Sequence, residues 1–197
     1  TTIARQLEEV AARIDSDDVW EPWKLDLQVA AMESFPDVGM TWTDMDAIDS
    51  AGRLVHREYL RKMYSVWNEV TLEELFTQAV PLAGIAPALA EKVTGKTFYS
   101  GDVFSTMVLG NIVHTSTVVL RRSRLDQVGG FDEAFRYGGE DYDYHLRTCK
   151  LGPVGFLDLV TIKYTVGNLD ALSNNGLELA EYIRSRCALP TFEQHDA

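Results

Sequence analysis

Residues 15–44, DSDDVWEPWKLDLQVAAMESFPDVGMTWTD, carry the reading on which the fold class turns. Pro22 suits the first turn of a helix, where its missing N–H leaves no bond unmade. Leu25, Val29 and Met32 recur at helical spacing, and FPDVG at 35–39 stops the helix. VGMTWTD, 38–44, then alternates and predicts a strand. Asp15, Asp17 and Asp18 repel one another ahead of this unit, so either water or a cation has to compensate them.

Outward from that stretch, helices and strands keep alternating. IARQLEEVAA, 3–12, places Ile3, Leu7 and Val10 on one helical face. DSAG at 49–52 is a turn, and RLVHREY continues extended. Thr71 and Glu74 form a capping box for a helix through about Val80. Residues 81–110, broken by Pro81, Gly84, Pro87, Gly95, Gly101 and Gly110, predict loop with short helices. NIVHTSTVVLRR, 111–122, is rich in β-branched residues and predicts a buried strand. Ser123 caps a short helix that ends at Gly129. A helix from about Glu140 to Gly152, the strand PVGFLDLVTIKYTV, a C-terminal helix GLELAEYIRSR and a polar tail over 187–197 complete the chain. The alternation implies an α/β layered fold in one domain, 1–197.

Apolar residues are 46% of the 197, enough for a sizeable core, and the net charge of -12 argues against a nucleic-acid partner. Cys149 and Cys187 stand alone, outside any metal-binding spacing, as free thiols of a reducing compartment. No apolar run is long enough to span a membrane and no signal peptide is visible, so a cytoplasmic or membrane-peripheral location is expected. Thr1, in place of methionine, suggests a processed or trimmed start.

Two acidic groups carry the chemistry. In Asp15-Ser16-Asp17-Asp18, residues two apart converge on one side of an extended or turning segment and offer hard oxygen ligands to Mg²⁺ or Mn²⁺. The plain alternative is an acidic turn capping the following helix. In Gly138-Gly139-Glu140-Asp141-Tyr142-Asp143, acids open a helix. They complement its dipole, or one of them faces a cleft as a general base that the helix N-terminus helps to keep ionised.

The succession DSDDVW.P.KL..Q, then GGFDE at 129–133, then GEDYD..LR at 139–147, resembles the family 2 glycosyltransferases of the GT-A fold, over about Ile14 to Tyr164. The resemblance implies a Rossmann-like mixed central sheet with flanking helices. It implies that Asp15 and Asp17 bind a divalent cation, Mn or Mg, bridging the diphosphate of a nucleotide-sugar donor such as a UDP-sugar. Asp18 would share that task, with Trp20 beside the donor. Asp141 would be the base that deprotonates a saccharide or other hydroxyl acceptor, with Glu140 orienting it. The reaction implied is a single in-line displacement with inversion, in polysaccharide biosynthesis.

The chain also departs from the family. Only 14 residues precede Asp15, where relatives carry the nucleotide-binding half of the sheet, and Ala12-Arg13-Ile14 is too short for a central strand. A truncated, inactive remnant that acts as a binding or assembly module is therefore the rival expectation. A nucleotide hydrolase using the same carboxylates is a third. An incomplete sheet edge would invite a homo-oligomer or partner. The histidine that relatives carry after the last strand is replaced by Thr165-Val166-Gly167. His114, read as mid-strand, is expected to pack or face the acceptor, and His145 to be structural. Trp23, Trp42 and Trp67 are expected in the core, and Arg121 and Arg122 at a solvated surface.

Overall fold

The computed structural model describes residues 10–135 and 138–167. Among the described residues, eight strands make one sheet whose main path is β1 (Val10–Ala12), β7 (Val119–Arg121), β3 (Met40–Ile48), β8 (Val154–Thr165), β6 (Thr97–Gly101) and β5 (Gln78–Pro81). Strand β2 (Val19–Trp20) adds to β8, and β4 (Leu54–His56) to β3. β3 and β8 run parallel, and the other pairings are antiparallel. The longest helices are α1 (Lys24–Ser34) and α8 (Glu140–Lys150). Shorter ones are α2 (Leu60–Met63), α3 (Leu72–Leu75), α4 (Leu82–Ile85), α5 (Ala90–Val93), α6 (Phe104–Leu109) and α7 (Arg122–Val128). The architecture is α/β with an open, mixed central sheet flanked by helices, consistent with a Rossmann-like class.

β8 alternates along its length and so feeds two cores, one on each face. Val154, Phe156 and Ile162 join Met40, Trp42, Met107 and Ile112 on one face. Leu157 and Leu159 join Leu27, Ala31, Leu82, Val93 and Phe98 on the other. Trp42 is fully buried between the rings of Phe76 and Phe156. Burial of a large apolar side chain contributes about 1.5–3 kcal/mol. In β3 the even positions Met40 and Trp42 share their face with Met45, an odd position. The register between β3 and β8 shifts at Thr43/Asp44 and again at Asp44/Met45, and this resets the alternation.

Several local expectations change in the structure. Val10–Ala12, read as the end of a helix, is edge strand β1, paired with β7. The face that α1 buries is Lys24, Leu27, Gln28, Ala31 and Met32, so Leu25 and Val29 lie to its side. The capping box at Thr71 and Glu74 forms, but its helix stops at Leu75, because Gln78–Pro81 is drawn into the sheet against β6. β6 itself lies in the stretch read as loop. Only Val119–Arg121 of the 111–122 segment is strand, and Thr115–Thr117 is a 3₁₀ turn. Arg121, not Ser123, stands at the start of α7, without a side-chain cap. Arg121 is no solvated surface residue either, since its guanidinium donates to the carbonyls of Met32, Phe35 and Val38 and closes the end of α1. The C-terminal helix and the 187–197 tail lie outside the described residues, as does the 3–9 part of the first helix.

Asp44 sits at the register shift, 4% exposed. Its Oδ1 accepts from the backbone N–H of Met45 and Leu60, at 2.7 and 3.2 Å. Burial nevertheless pushes its pKa up to about 6, against the pull of those two N–H groups, with Glu58 and Asp158 adding to the rise. The folded state therefore holds a proton that the unfolded state has released between the ordinary carboxylate value of 3.8 and about 6. Asp44's contribution to stability is full below the lower value and is lost as pH rises through the upper one. Denaturant titrations at acid, intermediate and mildly alkaline pH should show Asp44→Asn removing that slope. The variant keeps the Oδ1 acceptor and should be more stable than wild type at alkaline pH, by about 1–2 kcal/mol.

Candidate functional site

Asp15-Ser16-Asp17-Asp18 is a tight turn, closed by the Asp18 N–H donating to the Asp15 carbonyl at 3.1 Å. A turn of this kind brings its first and fourth residues together, whereas an extended segment would have paired residues two apart. Accordingly Asp15 and Asp18, with His114, form a group whose potential ligand atoms lie within 4.8 Å of one another. The side chain of Asp17 is outside that group. Its backbone carbonyl accepts from Thr165 Oγ1 at 2.6 Å.

The turn is fixed from three directions. The Asp15 N–H donates to Ser116 Oγ at 3.1 Å, and Trp20 Nε1 donates to the Ser116 carbonyl at 2.9 Å. Thr165 N–H, at the end of β8, donates to Asp18 Oδ1 at 3.3 Å. Trp20 is half-buried and packs on the core, with Lys24 Nζ 4.2 Å from its ring centroid. Lys24 is fully buried, and burial pulls its pKa down to about 7. It donates to Gln28 Oε1 at 2.6 Å. Gln28 Nε2 in turn donates to the carbonyls of Thr41 and Thr117, both at 3.1 Å. The KL..Q part of the sequence motif thus joins helix α1 to β3 and to the turn that carries His114.

His114 sits just before that turn and is 8% exposed. Its Nε2 faces Asp18 Oδ2 at 3.8 Å, too far for a hydrogen bond, and both atoms are buried without a partner. Its Nδ1 lies 3.4 Å from the Tyr64 hydroxyl, and its ring packs edge-on against Tyr164. The donor set of two carboxylates and an imidazole, with two orphaned atoms aimed at each other, fits a divalent cation.

Asp141, in the first turn of α8, is outside the Asp15–Asp18–His114 group but within electrostatic reach of it. It feels the charge of His114, and Tyr64 feels both Asp141 and Asp15. Its Oδ1 accepts from the Tyr142 N–H at 2.7 Å. The helix start was expected to hold this carboxylate ionised. Burial outweighs that effect and raises the pKa, with Glu140 adding to the rise and the Tyr142 N–H and His114 opposing it. A raised pKa makes the carboxylate a stronger proton acceptor. Glu140 is partly exposed beside it. His145, one turn further on, is fully buried, and burial drives its pKa down to about 3. It stays neutral and meets Thr115 Oγ1 through Nε2 at 3.2 Å, as a structural residue would. A hollow of about 170 Å³ runs along β1, lined in part by Arg13, Thr115, Phe131, Tyr144 and His145.

Sequence reasoning read His114 as a mid-strand residue that packs or faces the acceptor, and it passed over Tyr64; the structure puts both beside the acidic turn. The signal available for His114 was its place before Thr115-Ser116-Thr117, a run of small hydroxyl residues that supports a tight turn better than an uninterrupted strand. Nothing in the sequence marks Tyr64.

No protein-family model matches the chain, and no curated protein matches it.

Gln28 supplies a direct test of how the site is held. Gln28→Ala leaves Lys24 without its acceptor and strands two buried carbonyls. It should cost about 2–4 kcal/mol in denaturant unfolding. Ser116→Ala, which removes one partly buried acceptor, should cost about 1 kcal/mol.

Proposed function

We propose that the chain is a metal-dependent glycosyltransferase of the GT-A type, moving a sugar from a nucleoside diphosphate to an acceptor hydroxyl with inversion. The observation that supports this reading is the grouping of Asp15 and Asp18 with one buried histidine, His114, whose charge also acts on Asp141 from a distant part of the sequence. A bound divalent cation supplies Lewis-acid stabilisation of a diphosphate leaving group.

Asp15 and Asp18 are the residues that would hold the cation, with Asp17 exposed beside them and able to meet a donor from the solvent side. Asp141 takes the proton from the acceptor hydroxyl as that oxygen attacks. Its partly buried setting favours the protonated product of that step, as a general base requires. Glu140 repels a second negative charge at Asp141 and so adds to its basicity. Trp20 has its indole N–H committed to Ser116 and Lys24 over its face, so its contribution is to fix the acidic turn.

The test uses the purified chain with Mn²⁺, a panel of nucleotide-sugars and saccharide acceptors, following nucleotide release and sugar transfer separately. Asp141→Asn should lower transfer by about 100-fold or more while leaving donor binding near wild type. Asp18→Asn should weaken donor binding itself. A folded chain that binds no nucleotide-sugar at all would instead be a binding or assembly module. Release of free sugar at a rate indifferent to acceptor would identify a hydrolase.

A further inference from the structure

The gap between Asp18 and His114 is held open from both sides. Asp18 is anchored through Oδ1 by the Thr165 N–H, and its Oδ2, in a side chain with no exposure, has no partner. His114 is held by the Tyr64 hydroxyl at Nδ1 and by the Tyr164 ring, whose centroid is 4.8 Å away. Two buried groups of this kind would gain by closing to a charge-assisted hydrogen bond of about 2.7–2.9 Å. They remain 3.8 Å apart, each presenting a lone unpaired atom to the other. Ligands on a shared ion, with bonds of about 2.0–2.2 Å, lie roughly 3–4 Å from one another.

We propose that His114 Nε2 is the third protein ligand of a divalent cation held by Asp15 and Asp18, and that this nitrogen selects a first-row transition ion over Mg²⁺ or Ca²⁺. This deepens the reading above, because it rests on the same acidic turn and says which ion that turn accepts. Imidazole suits transition ions, whereas Mg²⁺ and Ca²⁺ take oxygen. With Nε2 on the ion, Nδ1 carries the ring proton and donates it to the Tyr64 oxygen, the outer partner that a ligating histidine commonly has. Asp15 is exposed and free to swing the remaining distance to the ion. Three protein ligands leave coordination positions open for oxygens of a bound substrate.

The experiment is Mn²⁺ and Mg²⁺ titration of the purified chain by calorimetry, with electron spin-echo spectroscopy of the bound Mn²⁺. Expected are tighter binding of Mn²⁺ than Mg²⁺ and a nitrogen nucleus coupled to the manganese. In His114→Ala and in His114→Gln the coupling should vanish and Mn²⁺ should bind about tenfold or more weaker, with Mg²⁺ little altered. Tyr64→Phe should keep the coupling and lose a smaller part of the affinity. Thermal unfolding shows which variants are folded, and the spin-echo result on the wild type stands without them. Mn²⁺ bound without nitrogen coupling overturns the proposal, as does wild-type affinity in a folded His114 variant or no Mn²⁺ binding at millimolar concentration. Sugar transfer that persists in His114→Ala with the same Mn²⁺ requirement sinks this ligand and leaves the transferase reading intact. Nitrogen-coupled Mn²⁺ in a chain that turns over no nucleotide-sugar does the reverse.

Discussion

The buried amide of Gln28 is the bond on which the rest of the molecule depends. One side chain with no exposure accepts from Lys24 on its own helix and donates to a carbonyl of β3 and to another in the turn before β7. Neither carbonyl has water to turn to, so each bond is worth more than an exposed one. The amide fixes the rotation and height of α1 over the sheet. That sets where the chain ahead of α1 leaves the surface, and so where Trp20 and the acidic turn sit. The same amide holds Thr117, three residues from His114. One side chain thereby fixes both halves of the acid–imidazole group.

Polar anchoring of this kind explains how the fold tolerates charge inside it. Asp44, Lys24, Asp141 and His145 all have pKa values moved toward their neutral forms, with burial as the largest cause in each case. Asp44 has two backbone N–H groups to offset its burial, and Lys24 has Gln28. Asp18 and His114 each have one partnered atom and one without. A buried polar atom left alone costs on the order of 1–3 kcal/mol. Trp42 Nε1 and His145 Nδ1 are also buried without a hydrogen-bond partner, and what distinguishes Asp18 Oδ2 and His114 Nε2 is that they face each other, 3.8 Å apart.

Much of the architecture was legible because long elements carry long patterns. Helix α1, helix α8, β3 and β8 each have enough residues for period and stop signals to be read, and all four lie close to where the sequence puts them. The short elements were decided by the sheet. Thr97–Gly101 becomes a strand because β8 offers an edge to pair with, and Gln78–Pro81 because β6 then offers the next one; no local preference announces either. The stretch at 111–118 has strand composition but lies where the chain must turn past the acidic group, and hydrogen bonds from Gln28 and Trp20 take its carbonyls instead of a neighbouring strand. In the acidic turn, the pairing of the carboxylates was not legible. Spacing suggested Asp15 with Asp17, and the turn closed by the Asp18 N–H brings Asp15 to Asp18 instead. His114 joined them only through tertiary packing, which a single sequence does not display.

The placement of the group follows from strand direction. β1 and β3 are both antiparallel to β7, so β1 runs the same way as β3 and β8. Asp15–Asp18 leave the carboxyl end of β1, and Thr165, which grips Asp17 and Asp18, is the carboxyl end of β8. His114 enters β7 from its amino end, and because β7 is reversed, that end lies beside the carboxyl ends of its neighbours. In open α/β sheets the crevice outside the carboxyl ends of the parallel strands is where ligands bind, because loops there are free of the ladder and can bring side chains from several strands to one point. The acids, the imidazole and the phenol of Tyr64 are assembled there by topology alone, from segments no local signal connects. The antiparallel strand β7 makes this possible: inserted between two like-directed strands, it delivers a side chain at the start of its path to the place where they deliver theirs at the end.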